Sequence, residues 1–315
     1  MTADEAKNSL QQSPLRIGVS SRALFSLEQE NRIFHEKGVA AYCQYQLDNE
    51  DEALPKGSAF PVIERLLALN DTGTKPVVEV ILMSKNSPDL SLRAFNSIEN
   101  YQLPIKLGSF TSGRSLAPFV NAWGIDLFLS NDPDDVAAAV KAGSAAAKLG
   151  NAPLTILDDE PGEVRIAFDG DAVLFSPESD EIYKQHGLEA FLKHETQKAT
   201  EPMSGGPLGS FLKKLSLLRL IHLDQNQISK VRLSIVTARN APAHKRVIHT
   251  LRAWGTPVDE AHFVGANVKG PILKASRAHI FFDDQEKHIL GAAQHVAAGH
   301  VPGPHDTNDP IIPAG

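Results

Sequence analysis

Residues 165–176 read RIAFDGDAVLFS. The apolar run at 164–168 has the length and composition of a buried strand, and it leads directly into two carboxylates, Asp169 and Asp171, around Gly170. Open parallel sheets bind ligands at the carboxyl ends of their strands, so this strand would deliver both carboxylates to a ligand crevice. Gly170 would let the backbone approach a ligand closely. Two close carboxylates repel, and a divalent cation is the natural compensation. One carboxylate can then act as nucleophile while the other moves a proton. Taken alone, a solvated turn after a strand has the same composition.

Around this stretch, strand-like and helix-like segments alternate. Strands are expected at 16–20, 75–83, 125–129, 164–168, 231–236, 261–264 and 279–282. Helical spacing covers 26–41, 90–101, 134–149, 243–254 and 271–276, and residues 176–230 read as mostly helical with a turn at Gly205-Gly206-Pro207. The alternation predicts an α/β fold with a parallel sheet and helices on both faces.

The chain also resembles itself. Residues 16–26 line up with 165–176, 82–88 with 235–242, 118–122 with 271–275, and 126–132 with 279–285. The second copy carries Asp169, Asp171, Lys274, Asp283 and Asp284, whereas the first has Ser20, Arg22, Asn121, Ser130 and Asn131 in those slots. Any reactive site therefore belongs to the C-terminal half. The expected organisation is a flexible leader at 1–14, a degenerate α/β half at 15–155, an active half at 156–302 and a flexible tail at 303–315.

Composition narrows the class. The chain has 315 residues, 42% of them hydrophobic, enough for about two domains. A formal net charge of −7 argues against a nucleic-acid polymer as partner. Cys43 is the single cysteine, which excludes an internal disulfide and a Cys-rich zinc site. There is no apolar run of transmembrane length, and residues 1–14 lack a signal-peptide core. The expectation is a cytoplasmic protein with no membrane partner, with homo-oligomerisation left open. The twelve histidines show no zinc-like spacing.

Three further elements complete the constellation. Thr237 ends the strand at 231–236 and can bind a phosphoryl oxygen with the backbone N–H groups after it. Lys274 precedes Asp283 on a short helix. The apolar run at 280–282 ends in Asp283 and Asp284, hard oxygen ligands of the kind Mg²⁺ prefers. Each has a plainer reading: a strand-terminal threonine, a surface lysine, a helix cap.

The ordered set of strand-DxDxV, strand-Thr, Lys and strand-DD resembles the haloacid dehalogenase-type phosphatase superfamily. The wider runs at 165–176 with Glu178 and Ser179, 206–208, 236–242, 269–274, 280–285 and 19–25 resemble the cytosolic 5′-nucleotidase type I family over about residues 14–302. Pro177 departs from the acidic residue expected there. The resemblance implies a Rossmann-like sheet with a small helical cap inserted at about 176–230, and a degenerate sheet of the same type in the N-terminal half. It implies Mg²⁺-dependent hydrolysis of nucleoside 5′-monophosphates such as AMP, IMP or their deoxy forms. Asp169 would be the nucleophile, Asp171 the general acid and base, Thr237 would bind a phosphoryl oxygen, and Lys274 with Mg²⁺ would offset the phosphate charge. Asp169, the Asp171 carbonyl, and Asp283 or Asp284 would hold the metal. Substrate contacts would come from Gly170, Phe175, Gly205, Gly206, Leu208, Ala238, Arg239 and Asn240, with Met203 and Phe211 as further candidates. Core packing for Phe175 and Phe211, and a surface turn for Arg239 and Asn240, stay open. The alternatives are a phosphatase for another small ester, such as a sugar phosphate, and a non-catalytic nucleotide sensor.

Overall fold

The computed structural model describes residues 1–150 and 162–303. The chain divides into two compact units, Arg16–Pro153 and a second comprising Met1–Leu15 with Leu154–Gly315. The expected domain junction near 155 and nearly all of the expected tail lie outside the described residues.

The first unit runs β1 (Leu15–Ser20), α2 (Ser21–Leu24), α3 (Glu28–Asp48), α4 (Phe60–Leu67), β2 (Val78–Ser84), α5 (Ser91–Asn100), β3 (Leu107–Phe110), α6 (Ala117–Ala122), β4 (Leu127–Ser130), α7 (Pro133–Lys141) and β5 (Ala146–Leu149). They follow α1 (Ala3–Gln12), which belongs to the other unit. The strands order as β3-β2-β1-β4-β5. Ile81, Met83, Val120, Phe128 and Val136 form the core on one face.

The second unit continues with β6 (Val164–Phe168), α8 (Glu178–Gln197), α9 (Gly209–Ile221), β7 (Val231–Thr237), α10 (His244–Trp254), β8 (Glu260–Phe263), α11 (Gly270–Ala275), β9 (Ile280–Asp283), α12 (Glu286–Ala292) and β10 (Ala297–His300). Its strands order as β8-β7-β6-β9-β10, and every neighbouring pair is parallel. Side chains alternate across the central strands. Phe168 and Phe282 stack at 5.6 Å and meet Phe211 of α9, whereas Ala167 and Phe281 join Leu273, Ala292 and Val296 on the opposite face.

The two strand orders are the same order, element for element. Both units also carry a long helix broken at one point by a glycine in the left-handed region, Gly38 (φ 82°) in α3 and Gly187 (φ 78°) in α8.

Four expectations change. Residues 3–12 are not a flexible leader: Thr2 and Glu5 form a reciprocal cap, Ala6 and Leu10 are buried, and α1 packs on α9. The helix expected over 134–149 stops at Lys141, because Gly143 takes a positive φ and residues 146–149 enter the sheet. The short strands β3 and β10 carry no strong apolar run and were not expected. Helix α9 packs on β7 and places Phe211 against Phe168 of β6 and Phe282 of β9, so α9 forms a layer on the sheet. Among the described residues, no helix is long and apolar enough to cross a membrane.

Candidate active site

Three parallel strands end together and supply the polar groups. Asp169 follows β6, Thr237 ends β7, and Asp283 ends β9 with Asp284 next. The Asp169 N–H donates to the Phe282 carbonyl at 2.8 Å, which ties the loop after β6 to β9. One carboxylate oxygen from each of Asp169, Asp283 and Asp284 lies within 4.8 Å of the others, and all three residues are buried.

A lysine sits between two of them. Lys269 Nζ is 2.7 Å from Asp169 Oδ1 and 2.6 Å from Asp283 Oδ2, and its side chain is almost fully buried. Lys274, the lysine expected here, is exposed at the far end of α11. The correction has a simple geometric basis. Gly270 and Pro271 open α11, so the helix begins at the site and Lys269 is the residue just before it. Five residues further along, at 1.5 Å each, a side chain is about 7 Å removed. The Gly-Pro pair after Lys269 was the signal in the sequence.

His288 was also missed. It lies on the first turn of α12, five residues past Asp283, with Nδ1 3.1 Å from Asp283 Oδ2. Burial pushes the Asp169 carboxyl up to about 7; Lys269 opposes the rise, and Asp283 and Asp171 add to it. Burial acts on Asp283 in the same sense, but Lys269 and His288 outweigh it and hold that group down at about 2. Burial would favour a neutral Lys269; the two carboxylates overcome this and keep it charged.

Thr237 is buried, and its Oγ1 accepts from the Arg239 N–H at 3.2 Å. It faces Gly170 closely: a Cβ added at Gly170 would lie 3.4 Å from Thr237 Oγ1 and 3.3 Å from the Phe175 ring. Asp171 is buried, with both oxygens taken by Arg239.

The expected substrate contacts divide. Phe175 is wholly buried beside Trp254, with ring centroids 5.5 Å apart, and Leu208 and Phe211 are equally buried; these three side chains pack the core. Met203 is buried as well, and its N–H donates to Thr250 Oγ1. Residues 203–208 pair with 173–176 as a short flap: Ser176 N to Ser204 O, Gly206 N to Leu174 O and Leu208 N to Val173 O. Gly206 is there for backbone approach, since a Cβ would meet the Phe175 carbonyl at 2.4 Å. Gly205 is exposed at the flap tip, with open space around it. Ala238 and Asn240 are half-buried after β7. The Arg239 side chain has no exposure at all, and its guanidinium is engaged by Asp171 and Glu195.

A family model described as 5′-nucleotidase matches residues 6–308. The chain belongs to the 5′-nucleotidase family. Human cytosolic 5′-nucleotidase 1B is 35% identical over 289 residues, covering 88% of this chain and 47% of that protein. The chain thus spans about half the length of this curated relative. The acidic set lies entirely in one unit. The matching positions of the other unit hold Ser20 for Asp169, Arg22 for Asp171, Leu116 for Lys269, and Ser130 and Asn131 for Asp283 and Asp284. That unit keeps a cavity of about 380 Å³ at its strand ends, lined in part by Ser20, Arg22, Ser84, Lys85, Leu116 and Ser130.

Proposed function

We propose that the chain hydrolyses nucleoside 5′-monophosphates to nucleoside and phosphate, through a phosphorylated Asp169. The observation that carries the chemistry is the buried meeting of Asp169, Asp283, Asp284 and Lys269 at three strand ends. Membership of the 5′-nucleotidase family, and a relative named as a cytosolic 5′-nucleotidase, support the substrate class.

The oxygens that Asp169, Asp283 and Asp284 bring together in this buried site are all hard donors. That set fits Mg²⁺. Asp169, the Asp171 carbonyl and the Asp283–Asp284 pair would hold it, and it would offset charge on the phosphoryl group. Lys269 adds a fixed positive charge in a buried site, where such a charge acts strongly.

In the first half-reaction an Asp169 oxygen attacks phosphorus in line. The P–O5′ bond breaks with its electron pair moving to O5′, which takes a proton from the Asp171 carboxyl. In the second, the Asp171 carboxylate takes a proton from water as that water attacks phosphorus. The bond from phosphorus to Asp169 then breaks and the carboxylate is restored. Thr237 Oγ1 and the N–H groups after β7 would bind a phosphoryl oxygen.

The test is phosphate release over a panel of nucleoside 5′-monophosphates and sugar phosphates, with and without Mg²⁺, using wild type and Asp169→Asn. Mg²⁺-dependent release from nucleotides, absent in Asp169→Asn, is the expected result. Preference for sugar phosphates would overturn the substrate, and an active Asp169→Asn would overturn the mechanism.

A further inference from the structure

Arg239 is the best-buried cation near the site, and its contacts all run away from solvent. Its guanidinium forks onto Asp171, with Nε 2.6 Å from Oδ2 and Nη2 2.7 Å from Oδ1. Nη1 donates to Glu195 Oε2 on α8. The other Glu195 oxygen accepts from Ser179 Oγ at 2.8 Å and from Arg246 Nη1 at 2.9 Å. The Phe191 ring lies 5.5 Å from the guanidinium. A chain of buried groups thus runs from the long broken helix to the reacting loop.

The unit Arg16–Pro153 provides an internal comparison. Three of its scaffold bonds recur. Arg93 Nε donates to the Glu52 carbonyl at 3.2 Å, as Arg246 Nε does to Glu201 at 3.1 Å. The Leu54 N–H donates to Ser97 Oγ at 2.9 Å, as Met203 does to Thr250 Oγ1 at 3.0 Å. Arg93 Nη1 reaches Gln46 Oε1 at 2.8 Å, as Arg246 Nη1 reaches Glu195. All three members of the chain to the loop differ, Asp171 being replaced by Arg22, Arg239 by Asn86 and Glu195 by Gln46; beside them Phe191 is replaced by Tyr42, whose hydroxyl donates to Asn86 Oδ1 at 2.9 Å, and Arg93 Nη1 pairs with the buried Glu30 at 2.9 Å. The shared bonds therefore form without the Arg239 and Glu195 charges, and in that unit Glu30 is the carboxylate that meets Arg93. Those charges are present in the copy that has Asp171 and absent from the copy that lacks it.

We propose that Arg239, anchored by Glu195, is a positioning residue that fixes the Asp171 carboxyl for proton exchange with the leaving O5′ and then with water. A carboxylate has about four acceptor directions, and a bidentate fork sets its plane while leaving others open. Without the fork the group turns about Cβ–Cγ, and misplacement by about 1 Å costs on the order of 100-fold in rate. The inference rests on the phosphatase reading above.

The leaving group provides the test. A 5′-alkoxide needs a proton to depart, whereas p-nitrophenolate does not. The quantity kcat/KM reports the chemistry through departure of the leaving group, and kcat also senses the second half-reaction. In Arg239→Met, kcat/KM for a nucleoside monophosphate is expected to fall by about 100-fold, the scale of general acid catalysis. For p-nitrophenyl phosphate it should stay within a few-fold of wild type, while kcat falls and a burst of nitrophenolate appears. Arg239→Lys and Glu195→Gln should show the same pattern to a smaller degree. Adding Arg239→Met to Asp171→Asn should cause no further loss. Because both substrates are read on one preparation, the ratio is independent of the folded fraction. An equal fall in kcat/KM for both substrates, or no fall for the nucleotide, would overturn the proposal. If wild type cleaves p-nitrophenyl phosphate and an alkyl phosphate but no nucleotide, the substrate reading fails while the same ratio, taken with that alkyl ester, still decides the role of Arg239. A wild type inactive on every ester overturns both.

Discussion

Lys269 Nζ donates to Asp169 Oδ1 across 2.7 Å, although a hundred residues separate the two in sequence. The same ammonium reaches Asp283 Oδ2 at 2.6 Å, so one lysine clips together the ends of β6 and β9.

Removing that clip should damage both fold and chemistry. Lys269→Met leaves Asp169 and Asp283 buried together without their cation, and losing one partner of a buried pair costs about 3–5 kcal/mol. Thermal unfolding should show a lower Tm, and phosphate release should fall by about 100-fold or more. Lys274→Ala, on the exposed end of α11, should match wild type in both. A collapse in Lys274→Ala with a normal Lys269→Met would reverse the assignment.

Asp169 gives the metal-free protein a pH-dependent stability of definite sign. Its carboxyl titrates near 7 when folded, against an ordinary value of 3.8. The folded state therefore binds the proton more tightly, and Asp169 contributes most to stability below about pH 4. That contribution is lost as pH rises toward 7. Chelator-treated wild type should lose Tm between about pH 4 and 7 relative to Asp169→Asn, which has no such proton. Parallel curves for the two proteins would refute this.

The same protonation competes with a cation for one carboxylate. The Mg²⁺ concentration that gives half-maximal phosphate release should fall as pH rises through about 7. Chelation should abolish release and added Mg²⁺ restore it. Asp283→Asn and Asp284→Asn should each raise the Mg²⁺ requirement by about 10-fold or more. A requirement independent of pH and of both residues would count against the proposed ligand set.

The flap offers a sharp contrast between neighbours. A Cβ at Gly206 would sit 2.4 Å from the Phe175 carbonyl and 2.7 Å from that of Val173, whereas one at Gly205 meets nothing within 4 Å. Gly206→Ala should lower the Tm by several degrees, in the range of a destabilisation of about 1–3 kcal/mol. Gly205→Ala should leave the Tm unchanged. Thermal scans of the two variants check this directly.

The parallel sheet and its reactive strand ends were legible because they are written locally. Apolar runs followed at once by Asp169, Thr237 and the Asp283–Asp284 pair need no tertiary information. Lys269 was harder, because two lysines flank one short helix and only the direction of α11 separates them. Arg239 looked like a ligand contact because arginine after a strand usually faces solvent. Its burial depends on Glu195 of α8 and Asp171 of the loop, partners that only the folded chain brings near. Leu208 has a related reason: the flap turns its side chain inward, and it does the same for Phe175, settling there the core packing that the sequence left open. Helix α1 is different, since the Thr2–Glu5 cap was visible and the polar composition of residues 1–14 outweighed it.

The bonds from Arg93 to Glu52 and from Arg246 to Glu201 carry a consequence for ancestry. The two units share one strand order, and only one of them carries the acidic set. Positions at which the copies still agree mark what folding demands, and positions at which they part mark what turnover demanded. One polypeptide thus holds two versions of one architecture, and each polar residue of the acidic unit can be sorted against its counterpart without reference to any other protein.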